Sequence, residues 1–381
     1  MAAWRRLRAS TGVALTIAGA LVLADKTQLG TDQVTAGSSD PPYPPSPVIK
    51  GIVWAPAESI VRRAQGSDNW PLTWADDGHL YTAYGDGNGF EPKVPGKLSL
   101  GFARIVGGPD HFTGINVHSA TGEQTGDGPR GRKASGMLMV EGVLYMWVRN
   151  ADGAGCGSRL AWSTDHARTW QWADWEFAEL GYPCFLNFGR NYDGARDEYV
   201  YTYSPDTPSA YREADAVVLA RVPGGRIADR GAYEFFRSHD EAGQTTWTAD
   251  ISRRGPVFVL PGGCNRMDVV YNRPLGRYLM TMRSRGQVGG RNHFSIYDAP
   301  EPWGPWTTVF YTEEWEGQSI PAGAGGWGEA QHFPAKWISE DGLTLYLVFS
   351  GDDSFSVRRM DLVGGGTVEP REAGPIGARR H

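Results

Sequence analysis

Apolar residues in this chain come in short runs broken by Gly, Asp, Asn and Pro, a pattern of strands and turns rather than helices. The clearest case is residues 67–90. Runs 70–74 and 79–84 are aromatic-rich and flank Ala75-Asp76-Asp77-Gly78, whose Asp/Gly chemistry suits a hairpin turn. The second run has echoes. Leu80-Tyr81-Thr82-Ala83-Tyr84 resembles 144–148, 200–204, 277–281 and 345–349, each with a tyrosine second (Tyr81, Tyr145, Tyr201, Tyr278, Tyr346). A strand-like run and a turn precede each tyrosine, and a third run follows at 98–106, 159–164, 216–222, 293–297 and 355–363. Fourth runs stand at 169–177, 233–237 and 307–312. This repeat predicts an all-β chain, a five-bladed β-propeller over residues 48–365. The fifth unit nearly ends at Val363, and apolar run 48–54 precedes the first, so the N-terminal strand is expected to close the last blade and remove an open edge. A two-sheet sandwich built from the same strands is the competing architecture.

A local motif favours the propeller. Ser163-Thr164-Asp165-His166-Ala167-Arg168-Thr169-Trp170 resembles the Asp-box, Ser-x-Asp-x-Gly-x-Thr-Trp, of sialidase-like propellers, with Ala167 where Gly is usual; residues 339–346 are a looser copy. Such a box is a folding motif, so Asp165 is expected to be structural.

The first hairpin also carries candidate chemistry. A tight turn makes paired positions sum to about 153 or 154, which sets Trp74 opposite His79, Trp70 opposite Ala83 or Tyr84, and Asp68 opposite Gly85 or Asp86. Opposed residues lie roughly 4.5–5.5 Å apart at Cα, so Asp68 and Asp86 meet at the open end. Two such carboxyls repel when both ionise, which leaves an acid beside a base, as glycosidic hydrolysis requires. The plainer reading is that both aspartates cap backbone N–H groups at strand ends. Asp86-Gly87-Asn88-Gly89 stops at Phe90 without the later ligands of a calcium loop. No metal or cofactor is expected.

Aligning the units on their tyrosines gathers other residues at the same end. Asp68 corresponds to Arg132, Phe188, Asn265 and Phe333, and Asp86 to Asn150, Asp206, Arg283 and Gly351. Inner strands of a propeller converge, so Asn69, Trp70, Arg132, Lys133, Asn187, Asn265, Arg266, Glu329 and His332 are candidate substrate-binding residues around one funnel. Trp70, Phe90, Trp247 and Trp327 could stack on sugar rings, whose CH faces are apolar; for any one tryptophan, core packing is the competing role. Asp127, Asp250 and Asp268 are further acids that could bind hydroxyls or orient the pair.

Composition narrows the rest. The 381 residues are 40% apolar and carry net charge −6 with no long basic run beyond the start, which argues against nucleic acid as a partner. Arg5, Arg6 and Arg8 precede an apolar run over 12–24, which fits a secretory signal at 1–24 and is short for a spanning helix. Export is the expectation, with an uncleaved anchor as the alternative and no stable membrane insertion once the signal is removed. Residues 25–47 are Pro-rich at their end and read as a flexible or extended linker, and 366–381 as a tail. Cys156, Cys184 and Cys264 allow one disulfide, with Cys156 and Cys184 the nearer pair, and match no zinc spacing.

Gly66-Ser67-Asp68-Asn69-Trp70-Pro71, then residues 74–81 and Gly85-Asp86-Gly87, resemble the opening signature of the domain-of-unknown-function family 4185, which overlaps glycoside hydrolase family 183. Residues 133–138, 299–306 and 339–342 suit the same layout. The resemblance spans about 48–363. It implies a five-bladed propeller, endo-acting hydrolysis of D-arabinan in mycobacterial-type cell-wall polysaccharides, and two essential aspartates at Asp68 and Asp86. The expectation is therefore an exported glycoside hydrolase acting on a polysaccharide. The alternatives are a sialidase-like exo-glycosidase, with Arg132, Arg266 and Arg283 holding a carboxylate, and a non-catalytic glycan-binding propeller.

Overall fold

The computed structural model describes residues 41–285, 292–321 and 323–364. The expected signal at 1–24, most of the expected linker and the expected tail lie outside these described residues. The protein is all-β: among the described residues the only helices are short 3-10 turns, and none is long and apolar enough to cross a membrane.

Five antiparallel meanders follow one another along the chain. The first runs Asp68–Trp74, Leu80–Gly85, Gly101–Gly107 and Phe112–Asn116. The second runs Lys133–Val140, Val143–Arg149, Ser158–Ser163 and Gln171–Phe177. The third opens with Cys184–Asn187, Tyr199–Pro205 and Ala214–Pro223; Glu234–His239 and Pro256–Cys264 both pair with the last of these. The fourth runs Arg266–Asn272, Arg277–Arg285, Asn292–Ala299 and Thr307–Thr312, and it meets the third through a short parallel pairing, Leu186 with Val269 and Asn187 with Val270. The fifth comprises Gln331–His332, Thr344–Phe349 and Phe355–Val363, and Gly51–Trp54 adds to it, with Ile52 opposite Leu362.

Leu80–Gly85 is buried along its whole length, and Val143–Arg149 nearly so, because each is covered on both faces; hence their unbroken apolar runs. The outer strand Gln171–Phe177 mixes exposed and buried positions. Apolar clusters join the sheets in cyclic order. Phe102, Met137 and Trp170 lie between the first and second. Trp147, Phe185, Tyr203 and Met280 run through the second, third and fourth, Phe294, Leu345 and Phe349 join the fourth to the fifth, and Trp70, Tyr84, Phe355 and Val357 join the fifth to the first.

The box at 163–170 folds around Asp165, whose carboxylate accepts from Ser163 Oγ at 2.8 Å, Thr169 N at 2.8 Å and Thr169 Oγ1 at 2.6 Å. Ala167 takes φ 68°, the left-handed conformation for which glycine is usual at this site. In the looser copy, Asp341 accepts from Ser339 Oγ and Leu343 N. The described end of the segment read as a linker is extended and docked: Ser46 N donates to Thr308 O and Ser46 Oγ to Asp298 Oδ2. Cys156 and Cys184 are not paired; all three cysteines are free thiols, Cys184 and Cys264 buried. Proximity in sequence pointed to a bond, but Cys184 is held in an inner strand opposite Tyr203 while Cys156 bridges Ser209.

Ile52 is fully buried in the closing strand. Ile52→Ala is expected to lower unfolding stability by about 2–5 kcal/mol, as a buried large-to-small change does, which denaturant titration measures directly.

Candidate active site

The first hairpin pairs Asp68 with Gly85 and Asn69 with Tyr84, then slips by one and resumes with Leu72 opposite Thr82 and Trp74 opposite Leu80. The slip takes up Trp70 and Pro71 as a bulge. Asn69 and Trp70 have φ of 77° and 71°, and Thr82 Oγ1 donates to the Pro71 carbonyl at 2.9 Å. Asp86 follows the partner strand directly, itself at φ 47°. Two glycines make the close approach possible. A Cβ on Gly85 would sit 2.7 Å from both Asp68 Oδ1 and Asn69 Nδ2, and one on Gly87 would collide with the Gly66 carbonyl.

Asp68 is 8% exposed, and its Oδ1 is buried without a hydrogen-bond partner in the protein. Burial pushes its pKa up to about 6; the Glu329 and Asp86 carboxylates push the same way, and Lys133 and Arg266 oppose them. Asp86 forms an ion pair with the buried Lys133 and lies 3.7 Å from Lys97, which also reaches Asp127 at 3.4 Å. Arg266 is buried and pairs with Glu329. Five of the residues expected at the mouth, Asp68, Asp86, Lys133, Arg266 and Glu329, therefore form one electrostatic cluster. Its members come from the first, second and fourth sheets and from the loop before the fifth. Burial thus holds the Asp68 proton above the usual carboxylate range, beside two carboxylates that each face a cation.

The other candidates divide. Asn69 Oδ1 accepts from Arg149 Nη2 at 3.2 Å. His332 Nδ1 lies 3.1 Å from Asp268 Oδ2, a buried pair in which burial raises Asp268 and the histidine opposes it. Arg132 donates to Ala151 O at 3.4 Å, and Asn265 Nδ2 to Arg212 O at 3.1 Å. Asn187 is a strut between inner strands: its Oδ1 accepts from Thr73 Oγ1 at 2.8 Å and its Nδ2 donates to Met137 O at 3.3 Å. Trp70 is fully buried against Tyr84, Phe90 and Phe355, so it has no face for a sugar, and Trp327 packs likewise among Phe294, Trp315 and Phe349. Trp247 stands 4.0 Å from the Arg221 guanidinium in a different part of the third sheet. Phe188 and Phe333 follow the inner strands rather than open them, because the third and fifth hairpins carry extra 3-10 turns at Arg190–Tyr192 and Ala335–Trp337 that a constant offset ignores. Observed register puts Tyr182 in the third sheet where Asp68 stands in the first, since Cys184 faces Tyr203.

Arg149 and Tyr182 were not singled out by sequence reasoning, although the guanidinium lies 5.8 Å from the Tyr182 ring centre and Arg266 lies 5.9 Å from it on its own account. A charge ending the apolar run of Val143–Arg149 was the available signal. Among the described residues, Asp76, Asp77 and His166 form the one trio with metal-ligand spacing. It sits at the turn of the hairpin, away from Asp68, and His166 Nε2 is already 2.8 Å from Asp76 Oδ1.

A family model described as Domain of unknown function (DUF4185) matches residues 135–361. The match begins downstream of the hairpin that holds both aspartates. No curated protein matches the sequence. Similar solved structures include an α-L-arabinofuranosidase from Podospora anserina solved with cellotriose (10% identity, 81% of this chain and 93% of that one, TM-score 0.41). A GH43_1 enzyme from Xanthomonas citri gives 13% identity over 82% and 94% with TM-score 0.44, and the GH62 α-L-arabinofuranosidase of Coprinopsis cinerea 10% over 88% and 99% with TM-score 0.42. These likenesses are too distant to carry chemistry.

A titration followed at the Asp68 carboxyl carbon is expected to show a midpoint near 6, and Lys133→Met to move it higher by removing a cation. Because the folded value lies above the unfolded 3.8, the proton favours the fold. That contribution is complete below the unfolded value and lost as pH rises through about 6.

Proposed function

The chain belongs to the DUF4185 family, and from that premise we propose that it is an exported glycoside hydrolase, a five-bladed propeller whose Asp68 and Asp86 cleave a glycosidic bond in a polysaccharide. The observation that carries the reading is the contrast between the two carboxyls. Asp68 is buried and raised to about 6, whereas Asp86 is held against Lys133 with Lys97 nearby. Asp68 then serves as the general acid, passing its proton to the leaving glycosidic oxygen. Asp86 takes the opposite part, attacking the anomeric carbon or drawing a proton from the water that does. Lys133 holds Asp86 in place. The cyclic order of the apolar clusters and the pairing of Gly51–Trp54 with Phe355–Val363 support the five-bladed form. The basic and apolar N-terminal residues support export.

Endo-acting cleavage of D-arabinan is what the 66–87 signature implies, and it makes arabinan the first glycan to try. The sialidase-like alternative is weakened, because the three arginines it would use are already engaged, Arg132 and Arg283 with carbonyls and Arg266 with Glu329.

Asp68→Asn and Asp86→Asn are each expected to cut reducing-end release from a polysaccharide panel by roughly 10²–10⁴-fold, the usual worth of a proton-transfer group. Wild-type activity should fall as pH rises through about 6, the value at which Asp68 loses its proton. Unchanged turnover in both folded variants would defeat the assignment, and glycan binding by the wild type without release of any sugar would favour a non-catalytic lectin-like role.

A further inference from the structure

Six cationic side chains are buried among the described residues: Lys133, Arg149, Arg266, Arg277, Arg283 and Arg358. Lys133 faces Asp86, Arg266 faces Glu329, Arg277 lies 2.7 Å from Asp298 and Arg358 2.8 Å from Glu316. Arg283 donates to the carbonyls of Gly323 and Pro321. Arg149 differs from all of them. It is 1% exposed, its Nη2 donates to the neutral amide oxygen of Asn69, and its Nε and Nη1 have no hydrogen-bond partner in the protein. Its other neighbours are ring faces, Tyr182 at 5.8 Å and Tyr211 at 5.5 Å. Asn69 Nδ2 is a further buried donor without a partner, its oxygen being taken by Arg149. Burying a guanidinium without a counter-charge is costly, and the unused groups of Arg149 and Asn69 are all donors, beside unused acceptors on Asp68 and Asn150.

We propose that Arg149, with Asn69, is an anion-binding subsite, and that the glycan this protein accepts carries a carboxylate on the sugar unit beside the bond attacked. The proposal rests on the hydrolase reading above and names its substrate class. Its location follows from the ladder. Arg149 pairs across the second sheet with Lys133, which holds Asp86, and Asn69 follows Asp68 in the chain. The subsite is therefore next to both proposed reacting groups. A singly charged carboxylate balances one guanidinium, whereas a doubly charged group would also face Asp86 and Glu329. Access comes past Tyr211, a half-buried residue whose hydroxyl accepts from Asn150 Nδ2 at 3.0 Å. Tyr211 borders an open groove of about 630 Å³, lined also by Pro129, Arg212 and the acidic Glu213 and Asp215.

The test uses the full chain and a panel of uronate-containing oligosaccharides, each paired with its carboxyl-reduced counterpart, with neutral arabinan fragments as a further arm. Affinities are measured by titration calorimetry at constant ionic strength for the wild type, Arg149→Lys and Arg149→Met. The wild type should prefer the acidic member of at least one pair by roughly ten- to hundred-fold, the worth of a charge-assisted hydrogen bond. Arg149→Lys should keep part of that preference and Arg149→Met should lose it. The proposal is overturned if wild type binds no acidic member better than its reduced form, or if the preference survives in folded Arg149→Met. Should Arg149→Met fail to fold, the wild-type pairs and Arg149→Lys decide. Cleavage of arabinan without any preference for acidic glycans would sink this proposal and leave the hydrolase reading standing. Tight, Arg149-dependent binding of an acidic glycan that is never cleaved would do the reverse.

Discussion

The bulge at Trp70 and Pro71 sets the geometry on which the site depends. Without the slip, the residues on either side of it would keep one continuous alternation, and Asp68 would share a face with alternate positions of an otherwise buried strand. With it, the chain passes through two left-handed residues, which cost energy outside glycine. Trp70 repays that cost by filling the core between the first and fifth sheets, where it packs against three aromatic rings. A residue expected to touch substrate thus acts instead as an anchor for the hairpin that carries Asp68 and Asp86.

Around that anchor, charge is distributed unevenly. Buried ions are tolerated when each has a partner, and removal of one partner is far more damaging than removal of both. Lys133 and Arg266 obey this rule with Asp86 and Glu329. Asp68 resolves its own burial by holding its proton more firmly, and Arg149 has neither a carboxylate nor a full set of hydrogen bonds. The two incompletely satisfied groups flank one asparagine, and incomplete satisfaction of buried polar groups is a mark of sites that await a ligand.

Much of this was legible in the chain. Hairpin register comes from turn length and alternation, so Asp68 could be set opposite Gly85 or Asp86, and Gly85 is its partner, whereas Trp74 faces Leu80 rather than His79; the strands beside each tyrosine and the closing role of residues 48–54 were legible too. Equivalence between units was less readable. A fixed offset from the tyrosine lands one residue off at Arg132, because the second sheet sets Lys133 opposite Arg149 where the first sets Asp68 opposite Gly85, and it fails at Phe188 and Phe333, where 3-10 turns lengthen the connection. Arg149 and Tyr182 escaped because the one local signal, a charge ending the apolar run 143–149, does not say what it faces: one residue ends a second strand, the other precedes the third sheet's inner strand, and only tertiary packing brings them together. The same holds for the tryptophans, since aromatic composition cannot say which rings face a groove and which fill a core.

The ladder between Gly51–Trp54 and Phe355–Val363 has a consequence for biogenesis. The earliest-made strand of the domain must wait for the latest-made one, so the final sheet stays incomplete until residues 355–363 have left the ribosome. Contacts of such long sequence separation slow assembly, and until they form, the nascent chain exposes a sticky strand edge. A protein built this way would gain from a chaperone that shields that edge during synthesis.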